Sequence, residues 1–203
     1  VTRARGGAHG ARTYGRGTTY DGDATRWTDD ASQSPNTGYS YEGGYGDTCY
    51  KTNLSVDIAT ATPSANQSTP KYYQAAVSNK SYGWICGGRS PGDNYESITD
   101  RTTYSNDTLA RLPGSNLPTA QRQQSSISSG TAGWFLGGKI PTEVTYYYKL
   151  TYSNGTMSSP SARMQTNNYG FSSTNSSTAG YSAGGHQFYT NVDKLVFATE
   201  STS

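Results

Sequence analysis

The sequence predicts an all-β fold, a β-propeller of about four four-stranded blades. The first observation is a pair of glycines that recurs four times, each time closing a short segment that opens with glycine and an aromatic residue. Counted on the second glycine, the steps are 44 residues from Gly44 to Gly88, 50 from Gly88 to Gly138 and 47 from Gly138 to Gly185. This period is typical of propeller blades rather than of helical repeats.

Composition is the second observation. Hydrophobic residues make up 32% of the 203 residues and charged residues 15%, with 18 tyrosines and 24 glycines. Disordered chains of similarly low hydrophobicity usually carry a high net charge and few aromatic residues, whereas this chain has a net charge of +2 and 12% aromatics. Tyrosine and threonine favour strands, and helix formers such as Leu, Glu and Lys are scarce. A folded protein of strands and turns is therefore expected.

The third repeat shows how one blade is predicted to run. Its four strands are expected at residues 121–128, 132–136, 143–152 and 157–164. The second of these is a short apolar run ended by Gly137-Gly138, as in a buried strand that must then turn. Asn154-Gly155 between two β-prone runs is a strong hairpin signal. Pro160 restricts the fourth strand to an edge or a bulge.

The other repeats follow the same order less completely. The second is predicted to have strands at 72–78 and 82–86, and its Thr103-Tyr104-Ser105-Asn106-Asp107-Thr108 matches residues 151–156 of the third almost letter for letter. The fourth has predicted strands at 169–173, 179–183 and 192–197. In the first, residues 54–58 are placed where the later repeats have their third strand. The predicted repeat boundaries are 36–67, 68–117, 118–164 and 165–203.

Residues 1–35 are predicted to be an irregular N-terminal arm or to contain a closing strand. The fourth repeat reaches Ser203 near the point where its fourth strand is expected. Because an unpaired sheet edge is a liability, a strand from the N-terminal segment would complete that blade, with residues 18–20 and 26–28 as candidates. An open array and completion by association of copies are the alternatives.

Several function classes lack support in the sequence. The near-neutral charge argues against a nucleic-acid binder, and no apolar run approaches the ~20 residues of a membrane-spanning helix. No Gly-x-Ser-x-Gly elbow, phosphate-binding loop or His-x-x-x-His pair occurs. Cys49 and Cys86 are too few for a four-cysteine zinc site, and they are predicted to be buried free thiols or one disulfide. We expect no enzyme, no cofactor and no metal.

The variable residues just beyond the glycine pairs are the candidate ligand-binding residues. Aromatic rings there can stack on sugar rings while polar side chains bond hydroxyl groups. The alternative is that these side chains only fill gaps between blades. The candidates are Tyr45, Arg89, Tyr95, Lys139, His186 and Tyr189.

The repeat, Gly-[Trp/Tyr]-x-x-Gly-Gly followed by an aromatic strand ending in Tyr-Ser-Asn-[Asp/Gly]-Thr, resembles kelch-like propeller repeats. With Val192-Asp193-Lys194-Leu195 and the link from Leu112 to Pro118, it looks like the repeat of structural proteins of bacteriophages, especially those that infect marine cyanobacteria. The resemblance covers residues 36–203. It implies a virion structural protein, a tail-fibre or other exterior appendage component on the outside of the particle.

Such a component would contact other virion proteins, copies of itself or a host-surface glycan, without inserting into a membrane. The first alternative is a secreted carbohydrate-binding lectin not attached to a virus. The second is an enzyme of the kelch-type oxidase kind, whose Cys, Tyr and His metal ligands are not recognisable in this sequence.

Overall fold

The computed structural model describes residues 18–20, 37–41, 47–53, 58–186 and 190–203. Two short 3₁₀ turns, Pro63–Ala65 and Pro113–Ser115, are the helical elements of these residues, and all other regular structure is β-strand. The predicted all-β class is confirmed. Within the described ranges, no helix has the length and apolarity needed to cross a membrane.

The strands form four antiparallel four-stranded sheets, and in each sheet the strands pair in chain order. The first sheet consists of β1 (Thr18–Tyr20), β2 (Thr37–Tyr41), β3 (Cys49–Asn53) and β4 (Ile58–Ala61). The second has β5 (Ala75–Ser78) and β6 (Tyr82–Cys86), and a small hairpin of β7 (Arg89–Ser90) and β8 (Asn94–Tyr95) precedes its last strands, β9 (Thr99–Thr103) and β10 (Thr108–Arg111).

The third sheet repeats this plan, including the small hairpin. Its elements are β11 (Ser125–Ser128), β12 (Ala132–Leu136), the hairpin of β13 (Lys139–Ile140) and β14 (Thr142–Glu143), β15 (Tyr147–Thr151) and β16 (Thr156–Ser158). The fourth sheet consists of β17 (Ser172–Asn175), β18 (Ala179–Ala183), β19 (Val192–Val196) and β20 (Ser201–Thr202).

Consecutive sheets pack face to face, with their first strands side by side in the order β1, β5, β11, β17. We call the face of a sheet that points to the next sheet its leading face, and the opposite one its trailing face. Three apolar clusters fill the interfaces. Cys49 meets Ile85 between the first two sheets, Trp84 meets Leu150 between the second and third, and Trp134 meets Leu195 between the third and fourth.

A glycine near the start of the second strand allows this close packing. A Cβ on Gly133 would lie 2.5 Å from Cγ2 of Val77 in the preceding sheet, and one on Gly180 would overlap Ile127. No side chain fits there, because real Cβ atoms do not approach other atoms so closely. The glycine in the second strand is therefore a packing requirement between sheets.

The glycine pairs end the second strands, as predicted. Gly87-Gly88 follows β6, Gly137-Gly138 follows β12 and Gly184-Gly185 follows β18, all with positive φ. The predicted second strands 82–86, 132–136 and 179–183 are confirmed to the residue. The looser pair Gly43-Gly44 lies outside the described residues.

The first strands are shorter than predicted. Those of the second and third sheets begin at Ala75 and Ser125, because Tyr73 and Gln123 adopt left-handed conformations with φ of 61° and 58°. Such a conformation interrupts an extended strand. The fourth strand of the third sheet is also shorter, since β16 ends at Ser158 and Pro160 lies in the link beyond it. Pro160 therefore lies outside the sheet, and no β-bulge is needed to accommodate it.

Two further expectations were wrong. The third strand of the first sheet is Cys49–Asn53, whereas Ile58 opens the fourth strand. The fourth sheet is not completed from the N-terminal segment, since its last strand is Ser201–Thr202, paired with β19. Thr18–Tyr20 pairs instead with β2 of the first sheet. The other candidate closing strand, residues 26–28, lies outside the described residues.

Candidate functional site

The candidate site is a row of aromatic and cationic side chains along one edge of the second to fourth sheets. Two kinds of segment meet there, the one after each glycine pair and the one that leads into each first strand. Tyr72 bridges to Arg89 and Arg122 to Lys139, and His186 N–H donates to Tyr169 O at 3.1 Å. We call this row the tyrosine–cation strip; its members are Tyr72, Tyr73, Arg89, Tyr95, Arg122, Lys139, Tyr169 and His186.

Arg89 forms one end of the strip. Its guanidinium lies 5.7 Å from the ring centroid of Tyr72 and forms an ion pair with Asp93. The Tyr72 hydroxyl is 3.4 Å from the same Asp93 carboxylate oxygen. Across the β7–β8 hairpin, Arg89 pairs with Tyr95. The hairpin thus fixes one cation, one carboxylate and two phenol groups close together.

Arg122 forms the centre of the strip and joins two repeats. It belongs to the segment that leads into the third sheet, yet its guanidinium lies 5.7 Å from the ring of Tyr73 and 5.3 Å from that of Tyr95, both of the second repeat. Gln123 N–H donates to Tyr73 O at 2.8 Å, which holds the two segments together. Among the described residues no carboxylate forms an ion pair with Arg122. The two ring contacts are at cation–π distance.

Lys139, Tyr169 and His186 form the other end. Lys139 Nζ lies 5.0 Å from the Tyr169 centroid and 3.9 Å from Glu143. The rings of Tyr169 and His186 stack with centroids 4.5 Å apart. Tyr169 is buried, whereas His186 is exposed and covers it.

The structure brings four of the six predicted site residues onto the strip: Arg89, Tyr95, Lys139 and His186. Tyr45 and Tyr189 lie outside the described residues. The sequence analysis missed Tyr72, Tyr73, Arg122 and Tyr169. A signal was present, because Tyr72, Arg122 and Tyr169 occupy the same place in successive repeats, three residues before the first strand.

The strip offers several kinds of contact to a ligand. Its phenol and imidazole rings offer flat apolar faces, its hydroxyl groups can donate and accept hydrogen bonds, and its cations can bind acidic groups. In the described part of the chain, no three His, Cys, Asp or Glu side chains lie close enough to share a metal ion.

Both cysteines are buried, and neither forms a disulfide. Burial raises the pKa of the Cys86 thiol to about 12, partly offset by a hydrogen bond from Thr99. A thiol reacts as the thiolate, so Cys86 is not a nucleophile at neutral pH. The prediction of free buried thiols is confirmed, and the disulfide alternative is wrong.

No protein family and no curated protein matches the chain. Among solved structures, that of YjhT is similar, with a TM-score of 0.70 at 12% sequence identity. The match covers 83% of this chain and spans 61% of the length of the YjhT chain. At this identity the likeness concerns the fold alone.

Proposed function

We propose that the four sheets are consecutive blades of a kelch-like β-propeller. Support comes from the order of the first strands along the stack, from the equivalent clusters at the three interfaces and from the glycine pair that ends each second strand in the second to fourth sheets. In propellers the innermost strands of neighbouring blades lie side by side around an axis. These contacts do not require the four sheets to close into a ring.

On this fold, the protein acts as a non-enzymatic binding component on the outside of a phage virion, such as a tail fibre or another appendage. The virion assignment rests on the resemblance of its repeats to phage structural proteins. The binding assignment rests on one observation, the tyrosine–cation strip. Eight side chains from three repeats converge there without forming the core of any sheet interface.

A host-surface glycan fits this strip. Pyranose rings present flat C–H faces that stack on phenol rings, and the surrounding arginines and lysine can bond hydroxyl or acidic groups. The strip follows the edge of three sheets, so it suits an extended oligosaccharide better than a small molecule enclosed in a pocket.

Glycan-array binding of the purified 203-residue chain tests the proposal. We expect binding to a restricted set of glycans, and a loss of at least about tenfold in affinity for Tyr95→Ala and for Arg122→Gln, the residues at the centre of the strip. Arg111→Gln is the matched control, since Arg111 is an exposed arginine of β10 outside the strip. Retention of full affinity by Arg122→Gln, or no glycan bound by the unmodified chain, contradicts glycan binding.

A second experiment separates the virion component from the free lectin. Mass spectrometry of purified phage particles should detect this chain in fixed proportion to the other structural proteins. Glycan binding by a chain absent from particles favours the secreted lectin.

A further inference from the structure

The positive charges of the tyrosine–cation strip have carboxylate partners at its two ends but not at its centre. At one end Arg89 forms an ion pair with Asp93. At the other end Lys139 Nζ lies 3.9 Å from Glu143. Arg122, at the centre, forms no ion pair with a carboxylate of the described residues. The strip therefore carries an uneven pattern of charge along its length.

The Arg122 side chain is held in place by its own chain. Arg122 N–H donates to Lys139 O at 3.2 Å, and Lys139 N–H donates to Arg122 O at 2.9 Å. The half-buried guanidinium lies near the rings of both Tyr73 and Tyr95. Its Nε atom is buried and has no hydrogen-bond partner in the part of the chain that the structure describes. A cation that is already fixed loses little conformational freedom when it binds a ligand, which favours affinity.

The carboxylate that follows Tyr95 in the chain is bonded to another group. Glu96 accepts a hydrogen bond from the Ser90 hydroxyl at 2.5 Å, and it forms no ion pair with Arg122. The centre of the strip thus presents a guanidinium beside two aromatic rings. Guanidinium groups bind carboxylates and phosphates through pairs of parallel hydrogen bonds. An acidic group of a ligand suits this place.

The ends of the strip disfavour an acidic group. An anion bound at Arg89 would lie close to the carboxylate of Asp93, and one bound at Lys139 would lie close to that of Glu143. Like charges at a contact oppose binding and so exclude the wrong ligand. The aromatic faces at the two ends remain suited to uncharged sugar rings.

We propose that the strip is specific for a glycan in which one acidic residue is flanked by neutral residues, with the acidic group bound to Arg122. The neutral residues stack at the two ends, on Tyr72 and on the exposed ring of His186. The inference rests on the proposed glycan binding and adds to it the charge pattern of the glycan. Carboxylate and phosphate share the chemistry that a guanidinium recognises.

The test is an array of matched oligosaccharides that differ only in charge. Each neutral oligosaccharide is paired with one form that has a single internal uronic acid and one that has a single internal phosphate, and oligogalacturonates represent fully acidic chains. We expect a single-acid form to bind the unmodified chain at least about tenfold more tightly than its neutral counterpart. We also expect it to bind more tightly than the oligogalacturonates. A preference for either acid supports the inference and identifies the acidic group.

Four variants assign the preference to particular charges. Arg122→Gln should bind acidic and neutral forms equally, whereas Tyr72→Ala should weaken both and keep their ratio. Asp93→Asn should bind oligogalacturonates more tightly than the unmodified chain does. Arg111→Gln is the matched control outside the strip and should change nothing. Circular dichroism checks that each variant is folded.

Failure of this inference can be told apart from failure of the proposed function. Neutral glycans bound as tightly as their single-acid forms, or a preference that survives Arg122→Gln, overturn the charge pattern and leave glycan binding in place. Tighter binding of oligogalacturonates by the unmodified chain overturns it as well. If the chain binds no glycan of any charge, both the proposed function and this inference are wrong.

Discussion

The indole ring of Trp84 lies parallel to the phenol ring of Tyr152, with centroids 4.7 Å apart and planes 10° from parallel. Trp84 belongs to the second sheet and Tyr152 follows the third strand of the third sheet. Trp134 and Phe197 repeat the same distance and angle one sheet further along. Equivalent positions of successive repeats therefore make the same aromatic stack across each of these two interfaces.

Because of this stack, the loss of unfolding free energy on removal of an aromatic ring should depend on which sheet carries the ring. Trp134→Ala should lower the free energy of unfolding by about 3–5 kcal/mol, because Trp134 is 2% exposed and its loss leaves a cavity between two sheets. Tyr181→Ala is the matched control at the equivalent position of the fourth sheet, where Tyr181 is half-buried and no further sheet of the described residues packs over it. It should cost less than about 1 kcal/mol. Urea unfolding followed by circular dichroism measures both, and equal losses would contradict the prediction.

The sequence predicted the second strands to the residue, because a short polar turn on one side and a glycine pair on the other bound each of them. It failed where the backbone departs from what residue type suggests. Tyr73 and Gln123 take left-handed conformations that tyrosine and glutamine rarely adopt, so the first strands were predicted too long. The first repeat lacks the Tyr-Ser-Asn signal, and its third strand was accordingly placed several residues too late.

Half of the strip could also be predicted, because residues after a glycine pair lie at the same sheet edge in every repeat. Arg122 could not be predicted in this way. Its contact with Tyr95 joins residues that are far apart in the chain and belong to different repeats, and no local pattern reports such a distance.

The second glycine of each pair is predicted to be irreplaceable. Gly138 has φ of +106°, and a Cβ there would lie 2.9 Å from the carbonyl oxygen of Arg122. Gly138→Ala should therefore destabilise the protein by about 1–3 kcal/mol. Gly130→Ala is the control, since a Cβ there meets no atom within 4 Å, and reduced chain entropy should make it neutral or stabilising by up to about 1 kcal/mol. Thermal melts should show a lower melting temperature for Gly138→Ala and no decrease for Gly130→Ala, and a drop of the same size in both would argue against the prediction.

The buried ion pair of Lys71 and Asp100 is predicted to be costly to break. Both side chains are 0% exposed, with Nζ and Oδ2 3.2 Å apart, and the Ser68 hydroxyl donates to the other carboxylate oxygen at 2.5 Å. Lys71→Met should cost about 3–5 kcal/mol, because it leaves a buried carboxylate without its cation.

Two further variants separate this charge effect from a loss of packing. The double variant Lys71→Met/Asp100→Asn should recover part of the stability, since it removes the unpaired charge. Lys51→Met breaks the more exposed pair with Asp107 and should cost at most about 1 kcal/mol. Chemical unfolding measures all three, and a double variant less stable than Lys71→Met would show that charge is not the cause.

Stability is predicted to fall at alkaline pH because of two buried tyrosines. Burial raises the pKa of Tyr147, and the charge of Asp193 raises it further. Burial likewise raises the pKa of Tyr152, although a hydrogen bond to Ser128 opposes this. In the unfolded chain both phenols ionise near pH 10, at about the ordinary pKa of tyrosine. Above that pH the unfolded state holds fewer protons than the native state, so the free energy of unfolding decreases as pH rises. Below that pH the two tyrosines make their full contribution to the free energy of unfolding.

Tyr147→Phe should therefore show a shallower decline of the free energy of unfolding above pH 10, while its difference from the unmodified protein stays constant between about pH 7 and pH 9. Urea unfolding at several pH values measures the slope, and absorbance at 295 nm should show part of the tyrosine ionisation only on unfolding. Parallel slopes for the two proteins above pH 10 would mean that Tyr147 ionises as readily in the native state as in the unfolded chain.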